Sequence, residues 1–350
     1  MVKHAAFAVP GSLDTPTGGY VYDRRIIAEL RELGWDIDVL NIGEGFPWPN
    51  EATRSAARSV LLDVPEGQPI VLDGLALGVL PDVAAELART NPLLALVHHP
   101  LALEWGLSVG QANALRRSEQ AALAAVREVV VTSPATAKLV AADYAVPMRR
   151  IVVARPGSDP APRSVGSQSQ TPHLLSVGSI VPRKGFDVLV AALAALAELP
   201  WRLTIAGDLT RDPNEAAKLQ ARISQHRLAD RIEVLGAVSS ERLAALYNDA
   251  DLFVLASRFE GYGMAYTEAL SHGLPVIGTT GGAIPDTVPH GAGLLVTAGD
   301  VTALAAVLRD VIANADLRCR LSDAASKAAR TLPTWRQSGA IFAATLEKLA

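Results

Sequence analysis

The chain has 350 residues, 49% of them hydrophobic and 19% charged, with a net charge of −4. That length accommodates two ordinary domains with separate cores, and that composition excludes a disordered polymer. The acidic balance argues against a nucleic-acid partner, and a single cysteine, Cys319, excludes an internal disulfide, which suits a reducing, cytoplasmic setting.

Short apolar runs alternate with helical patterns throughout, the signature of parallel sheets with crossover helices. Strands are predicted near 3–9, 35–42, 69–73, 93–98, 128–132 and 150–154, and again near 173–178, 201–206, 231–235, 251–256, 274–278 and 293–297. The early apolar run reads as the first strand and is too short for a secretion signal. No stretch reaches the ~18–20 apolar residues of a membrane span, so no stable membrane insertion is expected. Two sets of six strands point to an α/β protein of two doubly wound, Rossmann-like domains, residues 1–160 and 172–331. Residues 155–172, rich in Pro, Gly and Ser, read as the linker, and 332–350 carries a last amphipathic helix. Ligands of doubly wound sheets sit at the carboxyl ends of the strands, so the expected site is a cleft between the domains.

In chain order, the first loop of interest is Pro10–Tyr20. It lacks the Gly-x-Gly-x-x-Gly spacing of a dinucleotide fingerprint, and so does the loop after the seventh strand, which argues against a nicotinamide-dependent oxidoreductase. Gly18 and Gly19 still open a helix over 18–33, where they either expose backbone N–H groups to a ligand or form a plain strand-to-helix turn. On that helix Tyr22, Ile26, Leu30 and Leu33 share one face, and Gly34 supplies the stop. His98 and His99 end the fourth strand beside Pro100, a placement that favours chemistry over core packing. Zinc is the weaker reading, because no third ligand with metal spacing follows, and Glu104 is either acceptor-facing or an exposed loop acid.

After the seventh strand, Ser176–Leu189 places Lys184 between Gly178 and Gly185 and ahead of a helix, a natural phosphate site in which Lys184 could neutralise a leaving diphosphate. Asp208 and Asp212 read as loop and cap residues. In Ser257–Ile277, Gly261 and Gly263 allow the backbone to approach a ligand closely, and the next helix offers its first free amides. Glu260 lies in that loop and Glu268 about two turns into the helix, placed to accept hydrogen bonds from ribose or hexose hydroxyls. This stretch reads as a clamp for a sugar attached to a phosphate.

Glu260, seven residues, Glu268, then Ala-Leu-x-x-Gly-x-Pro-Val resembles the signature of retaining glycosyltransferase family 4, of the GT-B fold (glycosyltransferase group 1). The resemblance covers nearly the whole chain, with its specific motifs between 174 and 297. It implies that Glu268 holds the ribose and Glu260 the hexose, with Tyr262 and Met264 lining the same donor loop. It also implies that Lys184 and the Gly18/Gly19 loop meet the donor phosphates, that backbone around Val238 cradles the base, and that His98 sits near the anomeric carbon. The family places an Arg where this chain has Ser179, and Arg183 is the candidate substitute. The last helix would cross back onto the first domain. The implied function is a metal-independent, cofactor-free retaining hexosyltransferase, with UDP-glucose the first candidate donor and GDP-mannose or ADP-glucose next. Scattered basic pairs such as Arg116/Arg117 point to a small-molecule or saccharide acceptor on the first domain rather than a lipid, with His99 and Glu104 on the acceptor side. No glycosidase-like carboxylate pair stands out, so front-face attack, as proposed for the family, is the expected route to retention. The alternative is a non-catalytic nucleotide-sugar-binding protein.

Overall fold

A computed structural model describes residues 3–349. The chain divides into two compact units: the chain up to Gly157 together with the stretch from Pro333 onward, and Ser158–Leu332.

The first unit is built on a six-stranded parallel sheet of β1 (Lys3–Val9), β2 (Trp35–Asn41), β3 (Ile70–Asp73), β4 (Leu93–Val97), β5 (Glu128–Val131) and β6 (Ile151–Val153), in the order β2-β1-β3-β4-β5-β6. β3 and β4 are buried along their whole length because helices cover both faces, which is why they read as unbroken apolar runs. The chain winds outward in one direction from β1 to β2 and in the other from β3 to β6. The switch point therefore lies between β1 and β3, where Ala6 pairs with Ile70 and Ala8 with Leu72.

The helix Gly18–Glu32 follows β1, with the Thr17 hydroxyl accepting from the Tyr20 amide at its start. The helix Trp335–Glu347 lies against it, started by a reciprocal cap between Thr334 and Gln337. Phe342 is fully buried and stacks on Phe7 at 6.2 Å, and Trp335 meets Tyr22 at 6.0 Å. Burying each such ring is worth roughly 1.5–3 kcal/mol. The Ser338 hydroxyl donates to the Arg155 carbonyl, fastening the same helix to the end of β6.

The second unit carries β7 (His173–Val177), β8 (Arg202–Ala206), β9 (Ile232–Gly236), β10 (Leu252–Val254), β11 (Val276–Thr279) and β12 (Gly293–Val296), in the order β12-β11-β10-β7-β8-β9. Counted from β7, this is the 3-2-1-4-5-6 order of a dinucleotide-type sheet, with its switch point between β7 and β10. All twelve strands fall within a few residues of their predicted positions.

The Pro-, Gly- and Ser-rich stretch after Gly157 is not slack. The Ser164 hydroxyl lies within donating distance of the carbonyls of Asn248 and Ala250, Arg163 pairs with Asp323 at 2.7 Å, and Ser158 reaches Ser271 at 3.1 Å. Its hydroxyls satisfy backbone groups of the second unit, so a composition that reads as linker runs along that unit as a strap. No helix among the described residues is long and apolar enough to cross a membrane.

Candidate active site

In the second unit the two loops at the switch point are laced together. The 3-10 turn Pro182–Lys184 follows β7, and Gly185 then adopts φ +67°. A Cβ on Gly185 would lie 2.1 Å from the Ala256 carbonyl oxygen, so only glycine lets this loop press against the exit of β10. Arg258 binds Asp187 through both nitrogens at 2.9 and 2.6 Å, and its amide donates to the Arg183 carbonyl. Composition gave no sign of this Arg258–Asp187 brace.

The brace presents Arg183 and Lys184 to Glu260. Lys184 Nζ lies 2.7 Å from Glu260 Oε1 and Arg183 Nη1 lies 3.1 Å from Oε2, while the Ser257 hydroxyl donates to Oε1 at 2.6 Å. Glu260 is only 5% exposed. Burial alone would raise its carboxyl, but the Lys184 and Arg183 charges outweigh burial and lower it to about 2. Glu260 therefore has a task the sequence did not reveal: it holds two cations in register at the end of the sheet. Arg183 is part of this cluster, and it also donates to the Phe259 carbonyl at 2.8 Å.

Gly261 and Tyr262 are buried beside Glu260, and the Thr287 hydroxyl donates to the Tyr262 carbonyl at 2.6 Å. Gly263, at φ +95°, starts the helix Met264–Ser271, and no side chain caps its first turn. Its leading amides therefore stay open to an anion. Glu268 is the fifth residue of that helix, little more than one turn in rather than two, because the helix begins only at Met264. It accepts from the Tyr247 hydroxyl at 3.0 Å. Burial raises its carboxyl, partly offset by that hydrogen bond and by Lys184. Val238 lies in the loop between β9 and the helix Ser240–Asp249, half-buried against the core. Asp208 accepts from the Thr210 amide and Asp212 caps the helix Pro213–Gln225, as their spacing suggested.

In the first unit, Gly18 and Gly19 open the helix after β1, and a Cβ on Gly19 would touch the His98 ring at 3.5 Å. His98 follows β4. Its Nε2 lies 3.1 Å from Asp23 Oδ1 and 3.6 Å from Asp73 Oδ2. Sequence reasoning found no partner acids for His98, yet the structure delivers two. Asp23 comes from the helix after β1, and Asp73 ends β3, where it also accepts from the Leu75 amide at 2.6 Å. One oxygen of each acid and a ring nitrogen of His98 lie within 4.8 Å of one another. His99 is paired instead with Glu104 at 3.3 Å, on the exposed side of the same loop. Beneath that loop Glu119 is buried and accepts from the Leu101 amide at 3.0 Å, with burial pushing its carboxyl up to about 8.

Residues 158–328 match the family model described as Glycosyl transferases group 1, which takes in almost all of the second unit. Among curated proteins, MMP alpha-(1->4)-mannosyltransferase of Mycolicibacterium hassiacum is 28% identical over 320 residues, covering 87% of this chain and 76% of that protein. Mannosylfructose-phosphate synthase of Agrobacterium fabrum is 29% identical over 225 residues, covering 59% of this chain and 50% of that protein. D-inositol 3-phosphate glycosyltransferase of Pseudarthrobacter chlorophenolicus is 34% identical over 187 residues, covering 49% and 44%. The chain thus spans half or less of the length of the last two. Sucrose-phosphate synthase from Thermosynechococcus elongatus superimposes with a TM-score of 0.84 at 20% identity, covering 99% of each chain. Anabaena HepE in complex with UDP and glucose gives 0.78 at 19% identity, covering 99% of this chain and 100% of that one. These structural likenesses establish the GT-B fold.

Proposed function

We propose that this chain, whose residues 158–328 match the model for glycosyl transferases group 1, is a glycosyltransferase that moves a hexosyl group, with retention, from a nucleotide-sugar to a small-molecule or saccharide acceptor. One observation carries the reading: a buried Glu260 holds Lys184 and Arg183 at the switch point of the second sheet, beside the uncapped start of the helix Met264–Ser271. Two cations and free amides at one strand end suit a diphosphate.

In this reading Lys184, Arg183 and the amides of Met264 and Ala265 hold the donor diphosphate. In the first unit, the Gly18/Gly19 loop offers backbone amides of its own at a helix start, the candidate phosphate contact of that unit. Glu268 receives the ribose hydroxyls, and Glu260 receives a hexose hydroxyl once the diphosphate competes for Lys184. Gly261, Tyr262 and Gly263 shape the donor loop, and backbone near Val238 meets the base. As the bond from the anomeric carbon to phosphate breaks, negative charge grows on the leaving oxygen beside Lys184. The acceptor oxygen bonds to that carbon from the same face, and its proton passes to the leaving phosphate oxygen. Protein cations neutralise the charge, so turnover should be metal-independent and survive a chelator. His98 is the catalytic candidate of the first unit, with His99 and Glu104 on the acceptor side.

UDP-glucose is the first candidate donor, supported by the HepE likeness, while the relatives named as mannosyltransferases keep GDP-mannose in view. ADP-glucose is the third. Thermal-shift measurements with UDP, GDP and ADP test this, because a ligand that binds only the folded chain raises its melting temperature. The reading expects a shift with one nucleotide well above the others, and no shift with any of them would overturn it. Tight binding without turnover on any acceptor would instead favour a nucleotide-sugar-binding protein.

A further inference from the structure

The two acids around His98 define how that ring can act. Asp23 is 0% exposed and Asp73 is 3% exposed, and both direct a carboxylate oxygen at Nε2. A ring nitrogen facing two carboxylates serves as a donor, because a lone pair there would confront two negative oxygens in a poorly screened interior. The ring is fixed from its other sides as well. Tyr22 meets it edge-on at 5.4 Å, Gly19 lies along its Nε2–Cδ2 edge, and the Thr132 hydroxyl holds the His98 carbonyl at 3.1 Å. Nδ1 has no hydrogen-bond partner among the described residues, and the side chain keeps 20% of its surface exposed.

We propose that Asp23 and Asp73 are positioning residues that keep His98 a permanent imidazolium at neutral pH, so that it meets substrate through Nδ1–H as a fixed donor and cation and never as a base. What that donor meets, an oxygen of the sugar or its phosphate, rests on the glycosyltransferase reading; the protonation state does not.

The electrostatics agree. Burial would lower His98, but Asp23 and Asp73 outweigh it and raise the ring to about 10. Burial pushes Asp23 up to about 7, with His98 pulling against that rise and the Asp73 charge adding to it. Asp73 is likewise penalised by burial, yet its bonds from His98 and from the Leu75 amide hold it below the usual carboxylate range, making it the resident anion. The other titratable groups close by are Tyr22, whose hydroxyl donates to the Ala154 carbonyl and is raised by burial, and His99, which is turned to Glu104. Asp23 Oδ2 is buried and makes no hydrogen bond to the protein, a cost that holding the imidazolium through Oδ1 offsets.

The test is a pH titration of ring-labelled histidine by NMR. The chain has seven histidines, and loss of one signal in His98→Gln assigns the relevant ring. In the wild-type protein the His98 signals should stay in the doubly protonated form while exposed rings titrate near their ordinary value of about 6.5. In Asp23→Asn and Asp73→Asn the His98 midpoint should fall by roughly one unit or more. The kcat/KM profile of each variant should acquire an alkaline loss over the same range. A wild-type His98 that titrates with the exposed rings would overturn the proposal, whether or not the variants fold. So would midpoints unchanged in folded variants, or micromolar zinc displacing the Nε2 proton, since the acids would then form a metal cage. Absence of transferase activity alongside a charged His98 would sink the functional reading alone.

Discussion

The switch point of the first sheet sets one imidazole between two carboxylates, while that of the second sets one carboxylate between two cations. Both clusters arise in the same way: adjacent parallel strands whose connections leave in opposite directions bring loop residues together at their carboxyl ends. The polarity is opposite. With all groups ionised the first trio sums to −1 and the second to +1, so the second retains positive charge for an anion. In the first, the two acids outnumber the one cation, which they hold through Nε2 and which keeps only Nδ1 open. Burial tightens the contrast, since the raised carboxyl of Asp23 lets the first trio approach neutrality, whereas Glu260, Lys184 and Arg183 all stay charged.

The sharpest way to break this comparison is to remove the acid from the second cluster. Glu260→Ala strands two cations in a site where the carboxylate is almost fully buried, and should cost about 3–5 kcal/mol in urea unfolding. The pH dependence has a defined sign. The Glu260 carboxyl is depressed to about 2 from 4.5, so its contribution is complete above 4.5 and fades as pH falls toward 2. The stability gap between the wild-type protein and Glu260→Gln should therefore close in that window and stay constant above it. A gap that stays constant down to about pH 2 would mean the ion cluster contributes nothing.

Removing a cation should act on chemistry more than on folding. Lys184→Met should lower kcat by about 10²–10³, the usual effect of losing one group that stabilises developing charge, with unfolding only modestly altered. Smaller again is Glu268→Ala, which removes a charged hydrogen-bond acceptor worth about 1.5–3 kcal/mol and should weaken nucleotide binding by roughly 10-fold or more in calorimetry. Unchanged affinity in a folded variant would remove Glu268 from the donor site. The smallest effect belongs to Gly19→Ala in the first cluster. Its Cβ would make ordinary contact with the His98 ring at 3.5 Å, so stability should change by about 0.5–1 kcal/mol at most. A large loss would show that the His98 ring cannot yield to a side chain at this position.

What the sequence disclosed depended on how local the cause was. Strands buried on both faces announce themselves, as Leu93–Val97 does, because every side chain must be apolar. The Glu260–Glu268 loop was legible because its glycines, helix start and acids are contiguous. The pairing of Glu260 with Lys184 was not, since 76 residues separate them and only the adjacency of β7 and β10 joins them. Asp23 and Asp73 escaped notice for the same reason: Asp23 looks like a helix-surface charge beside Arg24, and Asp73 looks like the cap of the next short helix, which it also is. One signal was present. Asp23, Ile27 and Leu30 share a stripe, so the apolar face of the helix Gly18–Glu32 contains an acid. An acid on a buried stripe calls for a partner, and His98 is that partner.

Nucleotide release from UDP-glucose, GDP-mannose and ADP-glucose with a panel of saccharide acceptors, run in parallel on the wild-type protein and Lys184→Met, tests the placement of the diphosphate most directly. Acceptor-dependent release from one donor is expected for the wild-type protein, cut by about 10²–10³ in the variant. Release that is equal in the two proteins would contradict the placement of the diphosphate at the second cluster.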